Sequence, residues 1–214
     1  MILIGQFDSP FVRRVGVALR WYGQAFDHRP YAVFRDEKLI AEFNPLRKVP
    51  TLVLDDGTVL TESSVCLEYA DQRAATEHGE DWDRLLVPRG GNSRIEILRL
   101  CGFATGTMDK MVTLIYERLV RERRDDAWIR RCTRQALETL AYLESTCADR
   151  TTRFLVGSRL SHADVAFSCA YTLASEALPD LLGAQDLPAL RARAERVESL
   201  PELAETHQAF IINR

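Results

Sequence analysis

Short apolar runs alternate with helical periodicity along the first third of the chain. Residues 2–4 predict a buried strand, and Ser9-Pro10 then supplies an N-cap and a first-turn proline for a helix that ends at Gly23. Residues 26–33 predict a second strand. The period thus changes from strand to helix and back to strand, which predicts a parallel crossover.

The next part of the sequence predicts an antiparallel pair of strands. A short helix is predicted over 36–43, and two apolar runs, 51–54 and 58–60, flank Asp55-Asp56-Gly57 as in a β-hairpin. Glu62 stands at the start of a further helix. The order β-α-β, helix, hairpin, helix predicts one mixed sheet of the thioredoxin-like type.

Strand signals disappear from residue 89 onward. Two long amphipathic helices are predicted, and Ser161-His162-Ala163-Asp164 is a capping-box pattern before a third, with shorter helices after Asp186 and Pro201. The predicted apolar faces are Ile95, Leu98, Cys101, Met108, Val112, Ile115 and Leu119 for the first, and Ile129, Cys132, Ala136, Leu140, Leu143 and Cys147 for the second. The fold class is therefore α+β, with an N-terminal domain at 1–78, a linker at 79–88 and an all-helical C-terminal domain at 89–214.

Composition narrows the classes of protein. The 214 residues are 46% hydrophobic and 28% charged, which is typical of a globular chain. The formal net charge is −3, and this balance disfavours nucleic-acid binding. The N-terminus turns polar too early for a signal peptide, and no apolar run approaches the roughly 20 residues needed to cross a membrane.

The five cysteines indicate a reducing compartment. They stand at 66, 101, 132, 147 and 169, an odd number without a C-x-x-C pair or metal-ligand spacing with histidine. Four of them fall in amphipathic stretches, where a free cysteine acts as a small buried hydrophobe. We therefore expect a cytoplasmic protein with no metal site.

Ser9 is the first candidate for chemistry. At the N-cap of the first helix, backbone N–H groups and the positive end of the helix dipole favour an anion and would stabilise a thiolate over a thiol. The chain has no cysteine there, so the sulfur would come from a bound ligand. Taken alone, Ser9 fits a simple helix cap as well, because serine caps are common.

Two later positions suit a bound peptide. Val49-Pro50 precedes a predicted strand, where a proline leaves backbone groups available to an extended ligand, although the sequence alone favours a trans bond. Glu62-Ser63 opens a helix, where hydroxyl and N–H groups suit a carboxylate and Glu62 suits an ammonium. Capping is the alternative for Glu62-Ser63.

The order and spacing of these motifs resemble the glutathione transferase superfamily over nearly the whole chain. The resemblance rests on Ser9-Pro10-Phe11-Val12-Arg13-Arg14, on Asn44-Pro45-Leu46-Arg47-Lys48-Val49-Pro50 with the hairpin, and on Glu62-Ser63. It implies a thioredoxin-like domain for glutathione and a helical domain that completes an electrophile pocket. The Ser-Pro-Phe pattern is similar to omega-like and other bacterial branches, and serine in place of the omega cysteine argues against a mixed-disulfide mechanism.

The resemblance also implies roles for individual residues. Ser9 corresponds to the contact with the glutathione sulfur, with Phe11 beside it, and Val49 to the backbone partner before a cis-Pro50. Glu62 and Ser63 match the γ-glutamyl contacts, and Lys48 the side chain that reaches a carboxylate. Arg47 is a departure, because many relatives carry glycine there. Thr107, Met108, Met111 and Tyr116 are candidates for the electrophile wall, although methionines at helical spacing more commonly fill a core.

The resemblance implies a cytoplasmic, homodimeric detoxification enzyme. Glutathione would be its co-substrate, without a metal, and a small hydrophobic electrophile its second substrate, of a kind that the sequence leaves open. A dehalogenase, isomerase or peroxidase is a specialised form of this function. The alternative is a transferase fold that binds ligands or proteins without turnover, because fold does not establish activity.

Overall fold

A computed structural model describes residues 1–210. The chain divides into two compact units, one formed by Met1–Gly91 with the chain from Leu200 onward, the other by Asn92–Ser199. The described residues after Leu200 therefore belong to the first unit. The predicted limits of 1–78, 79–88 and 89–214 assign them to the C-terminal domain instead. Among the described residues, none of the helices is long and apolar enough to span a membrane.

The first unit contains one four-stranded mixed sheet. Its elements are β1 (Ile2–Ile4), α1 (Pro10–Trp21), β2 (Asp27–Arg29), α2 (Glu37–Ala41), β3 (Thr51–Val53), β4 (Val59–Thr61) and α3 (Ser63–His78). The strand order is β2-β1-β3-β4, with β1 parallel to β2 and the other two pairs antiparallel. The predicted thioredoxin-like order is confirmed.

Element bounds differ from the predictions by a few residues. The second strand covers Asp27–Arg29 rather than 26–33, because Pro30 follows and has no N–H for a ladder bond. Helix α2 covers Glu37–Ala41 rather than 36–43, and it ends before Asn44-Pro45 as expected.

A buried polar network joins α1, α3 and the segment after α3. The Tyr22 hydroxyl donates to Asp71 Oδ1 at 2.5 Å and accepts from the Leu86 N–H at 2.8 Å. Burial and the neighbouring Asp71 carboxylate raise the pKa of Tyr22 well above its usual range. The linker is thus held to the first unit by hydrogen bonds as well as by the buried side chains of Leu86 and Val87.

The chain after Leu200 packs on α1. Helix α9 (Pro201–Ala204) receives a hydrogen bond from Arg13 Nη2 to the Leu203 carbonyl at 3.0 Å. Arg20 pairs with Glu205 at 2.7 Å, and the Phe7 N–H donates to Gln208 Oε1 at 3.0 Å. These contacts explain why this segment belongs to the first unit.

The second unit is all-helical within the described residues. It consists of α4 (Gly91–Leu119), α5 (Asp126–Ala148), α6 (His162–Ala177), α7 (Pro179–Gly183) and α8 (Pro188–Glu198). Helix α6 packs most extensively, against α8, and most of its residues are buried. Helix α7 was not predicted, although Pro179 at its first turn is a start signal.

The predicted apolar face of α4 is wrong at its beginning. Ile95 and Leu98 are 66% and 44% exposed, so they lie outside the core. The buried face is instead formed by Ile97, Leu100, Cys101, Ala104, Met108, Met111, Leu114 and Ile115. Both sets have helical spacing, and periodicity alone does not say which of two apolar stripes is covered.

The capping box of α6 is confirmed. Asp164 Oδ2 accepts from the Ser161 N–H at 3.0 Å and from its hydroxyl at 2.6 Å, and Oδ1 accepts from the Leu155 N–H at 2.8 Å. Burial raises the pKa of Asp164 despite these bonds. Its carboxylate therefore fixes the loop before α6 as well as the helix start.

Candidate functional site

The sheet register brings three helix or strand starts to one edge. Ile4 pairs with Thr51, and Thr51 pairs with Thr61, so these three residues form one row across the sheet. The chain leaves this row through the loop to Ser9, arrives at it through Val49 and Pro50, and leaves it again through Glu62. The predicted site residues therefore share one edge of the first unit.

Ser9 lies at the N-cap of α1 but does not cap it. Its backbone is extended, with φ −73° and ψ 118°, and its hydroxyl makes no capping hydrogen bond. Within the described residues, the N–H groups of Phe11 and Val12 also lack an acceptor, while Ser9 O accepts from Arg13 N at 2.9 Å. The half-buried Ser9 hydroxyl and two amides at the positive end of α1 are thus available to an anion.

Gly5 allows the backbone before Ser9 to approach its neighbours closely. Its φ is +127°, and a Cβ there would lie 2.5 Å from Val12 Cγ2 and 2.7 Å from Val49 Cβ. Any side chain would collide with both valines. Glycine therefore lets the start of α1 and the segment before β3 meet.

Phe7 and His28 anchor the loop that carries Ser9. Their rings stack with centroids 4.0 Å apart, and His28 Nε2 lies 2.8 Å from the Gly5 carbonyl oxygen. A Cβ on Gly16 of α1 would lie 2.4 Å from the Phe7 ring, so this ring packs directly on the helix backbone. The loop is held from β2 and from α1 together.

The Val49–Pro50 peptide bond is cis, as the resemblance implies and against the preference of the sequence alone. The Val49 N–H and C=O make no hydrogen bond with any described residue. Pro50 is buried and Val49 half-buried. An extended ligand can therefore pair with the Val49 backbone.

Asn44 holds this segment and was missed as a site residue. Its buried amide donates to the Lys48 carbonyl at 3.2 Å and to the hydroxyls of Thr51 and Thr61 at 2.9 and 3.2 Å. It thereby connects the loop before Val49 to both strands of the hairpin. In the sequence, Asn44-Pro45 reads only as a helix stop, and no local signal points to this longer-range role.

Lys48 and Glu62 face each other at the surface. Their Nζ and Oε1 atoms lie 3.7 Å apart, and both side chains are about two-thirds exposed, at 67% and 63%. An exposed pair of this kind contributes roughly 0–1 kcal/mol, so either group can turn to a ligand at little cost. Neighbouring Arg47 pairs with Glu37 at 2.6 Å, and its φ of +52° is a backbone conformation that favours glycine.

Glu62 has an unusual backbone. Its φ of 67° and ψ of 127° lie outside the regions that residues other than glycine commonly adopt. Its carbonyl accepts from the Val65 and Cys66 N–H groups, but its side chain does not cap α3. Such strain persists where surrounding structure imposes it, and it is common at functional sites.

Ser63 is buried at the first position of α3. Its hydroxyl accepts a hydrogen bond from Arg14 Nη1 at 3.4 Å, and Arg14 is itself only 5% exposed. The sequence motif contains Arg14, but we assigned it no role, because arginine on a helix usually lies at the surface.

Thiol chemistry by the chain itself is disfavoured at this edge. All five cysteines are free and buried. Burial raises the pKa of Cys66, the cysteine nearest the start of α3, to about 12. Among the described residues, no group of three or more His, Cys, Asp or Glu side chains is arranged to hold a metal ion.

The candidate electrophile-wall residues divide between core and surface. Thr107, Met108 and Met111 are fully buried, which favours the core-filling interpretation, whereas Tyr116 is 39% exposed. All four belong to the second unit.

Two family models match the chain. Residues 8–73 match the model described as "Glutathione S-transferase, N-terminal domain", and residues 107–206 match "Glutathione S-transferase, C-terminal domain". The first match contains all of the predicted site residues. The second covers most of the helical unit.

Individual proteins are similar over most of the chain. Escherichia coli YibF, described as an uncharacterized GST-like protein, is 26% identical over 172 residues, which cover 79% of this chain and 80% of YibF. A glutathione S-transferase from Methylobacterium radiotolerans in complex with glutathione sulfonate is 26% identical, with a TM-score of 0.83 and coverage of 100% and 98%. A glutathione transferase family member from Pseudomonas fluorescens Pf-5 with bound S-(propanoic acid)-glutathione is 30% identical, with a TM-score of 0.74 and coverage of 96% and 98%.

Proposed function

Because the chain belongs to the glutathione S-transferase family, we propose that it binds glutathione and activates the thiolate for attack on a hydrophobic electrophile. The observation that carries this proposal is the uncapped start of α1. A serine at an N-cap that leaves its hydroxyl without a capping bond, next to two amides without acceptors, is poised for an anionic ligand atom. Similar proteins bind glutathione derivatives, which supports the identity of that ligand.

We assign the peptide part of glutathione to the same sheet edge. The Val49 backbone pairs with the cysteinyl unit, and Pro50 and Phe11 line the groove beside it. The Ser63 hydroxyl donates to the γ-glutamyl carboxylate at the start of α3, and the Glu62 carboxylate accepts from the ammonium. Lys48, released from its weak pair with Glu62, reaches a carboxylate of the ligand.

The chemistry at sulfur follows from this arrangement. Hydrogen bonds from the Ser9 hydroxyl and the α1 amides favour the thiolate over the thiol, and the thiol proton leaves to solvent. The thiolate donates an electron pair to an electrophilic carbon and forms a C–S bond. In a substitution the leaving group departs with its bonding pair, and in an addition the resulting carbanion takes a proton from water.

Several finer features belong to the same proposal. The Ser-Pro-Phe start and the absence of cysteine at position 9 support a serine-type bacterial enzyme of an omega-like or related branch, acting in cytoplasmic detoxification. The exposed apolar residues Ile95 and Leu98 on α4 support a homodimer, because apolar side chains that are exposed in one chain favour burial by another. A monomeric mass by sedimentation at micromolar concentration would contradict the dimer.

Calorimetry and a conjugation assay test the function together. We expect the purified chain to bind glutathione in the range of roughly 1 µM to 1 mM that is usual for enzyme substrates, and to consume it with at least one of a panel of aryl halides, enones and epoxides. Binding without turnover on any of them would favour the alternative, a ligand- or protein-binding module. Absence of binding would refute both the site and the function.

A further inference from the structure

No buried anion of the described residues pairs with the buried guanidinium of Arg14. Its side chain projects from the second turn of α1, and the residue is 5% exposed. The hydrogen bond from Nη1 to Ser63 Oγ, at 3.4 Å, is long, and no carboxylate of the described residues pairs with the guanidinium. A largely buried guanidinium without a carboxylate partner favours the binding of an anion.

The neighbouring Arg13 binds a different part of the first unit. Arg13 is 3% exposed, and its Nη2 donates to the Leu203 carbonyl at 3.0 Å. Arg13 therefore ties α1 to the C-terminal segment. Arg14 ties α1 to the start of α3, where the acceptor is a single serine hydroxyl.

The start of α3 has further hydrogen-bond donors that, like Arg14, favour a negative charge. Within the described residues, the N–H groups of Ser63 and Ser64 have no acceptor, because the Glu62 carbonyl accepts only from Val65 and Cys66. The carboxylate of Glu62 is turned to Lys48 at the surface, away from neutralising Arg14. A guanidinium and the two amides that form the positive end of α3 thus meet at one place, and both favour a negative charge.

We infer that Arg14 is a positioning residue for a carboxylate subsite at the start of α3. It orients the Ser63 hydroxyl and supplies the buried positive charge that the γ-glutamyl carboxylate of glutathione neutralises. This inference rests on the proposed function and adds to it a residue from α1, which couples the carboxylate subsite to the helix that carries Ser9.

Two ligands that differ only in the γ-glutamyl carboxylate measure how much Arg14 contributes to the binding of that group. Glutathione is compared with 4-aminobutanoyl-cysteinyl-glycine, which lacks only the γ-glutamyl carboxylate, and the ratio of their dissociation constants measures the recognition of that group. We expect Arg14→Gln to weaken glutathione binding about ten- to a hundredfold, as for loss of a charged hydrogen bond. Binding of the analogue should change less than about threefold.

Arg13→Gln is the matched control. It removes an equally buried guanidinium one residue away, so we expect it to lower the melting temperature while the ratio stays that of the parent. Arg14→Lys keeps the charge but not the planar fork, and it serves if Arg14→Gln does not fold. The ratio of the two dissociation constants for Arg14→Lys should lie between the ratio of the parent and that of a variant with an uncharged side chain at position 14. Circular dichroism establishes that each variant is folded.

The outcomes separate this inference from the proposed function. A parent that does not bind glutathione overturns both. A parent that binds it, with Arg14 variants that weaken both ligands by the same factor or neither of them, overturns the role of Arg14 alone. Glutathione esterified at its glycyl carboxylate should keep the full dependence on Arg14, and loss of that dependence would assign Arg14 to the wrong end of the ligand.

Discussion

Replacing Ser9 with alanine separates a sulfur contact from a helix cap. The Ser9 hydroxyl makes no capping hydrogen bond, so its removal should change the free energy of unfolding by less than the roughly 1 kcal/mol that a serine cap usually contributes. With glutathione bound, the same change removes a hydrogen bond to a charged atom, worth roughly 1.5–3 kcal/mol. At 1.36 kcal/mol per pKa unit, the pKa of the bound thiol should rise by about one to two units.

Ultraviolet titration of the glutathione complex measures this shift. The thiolate absorbance should develop at higher pH in Ser9→Ala, and conjugation near neutral pH should fall about ten- to a hundredfold. Some activation should remain, because the amides of Phe11 and Val12 at the start of α1 have no acceptor among the described residues and stay available to the sulfur. Glutathione affinity should change little, since Val49, Glu62 and Ser63 are untouched.

Ser9→Thr is the control, because it keeps a hydroxyl at the same place and should keep most of the activity. A Ser9→Ala variant whose titration and rate match those of the parent would show that Ser9 does not contact the sulfur. A melting temperature that falls while the titration stays unchanged would identify Ser9 as a cap in solution.

Three further predictions concern other parts of the molecule. Glu62→Ala should raise the KM for glutathione with a modest change in kcat, because the ligand ammonium loses its acidic partner; an unchanged KM would give Glu62 another role. Asp164→Ala should lower the melting temperature by about 5–15 °C, because the buried Leu155 and Ser161 N–H groups lose their acceptor at a cost of about 2–4 kcal/mol. Folded, equally stable but inactive protein would contradict a structural role for Asp164. Hydrogen bonds from arginine side chains, with Arg99 contributing most, lower the pKa of Glu96 to about 2, so its contribution to stability is present above about pH 4.5 and is lost as the pH falls toward 2. Urea titrations should show that Glu96→Gln lowers the free energy of unfolding by about 1 kcal/mol at pH 7 and leaves it unchanged at pH 2. A difference that is the same at both pH values would contradict a stabilising role for the ionised Glu96 carboxylate.

Local patterns predicted the first unit more completely than the second. Residues 2–4, the hairpin around Gly57 and the capping box at Ser161 each depend on interactions within a few residues, and all three occur in the structure. The covered face of α4 depends on which apolar stripe meets other helices, and periodicity does not contain that information. Arg14 could not be predicted for the same reason, because its partner lies 49 residues away.

The departures from local rules concentrate at the sheet edge where the site is proposed. Ser9 occupies a cap position without capping, and Glu62 adopts a backbone that favours glycine. The backbone groups of Val49 have no partner among residues 1–210. Arg14 buries a charge beside a lone hydroxyl. Each departure raises the free energy of the folded chain, and ordinary packing elsewhere must offset it. A ligand with an anionic sulfur, an extended backbone and a carboxylate would bind the groups at Ser9, Val49 and Arg14, and its ammonium would pair with the Glu62 side chain. This set of groups is the chemistry of glutathione.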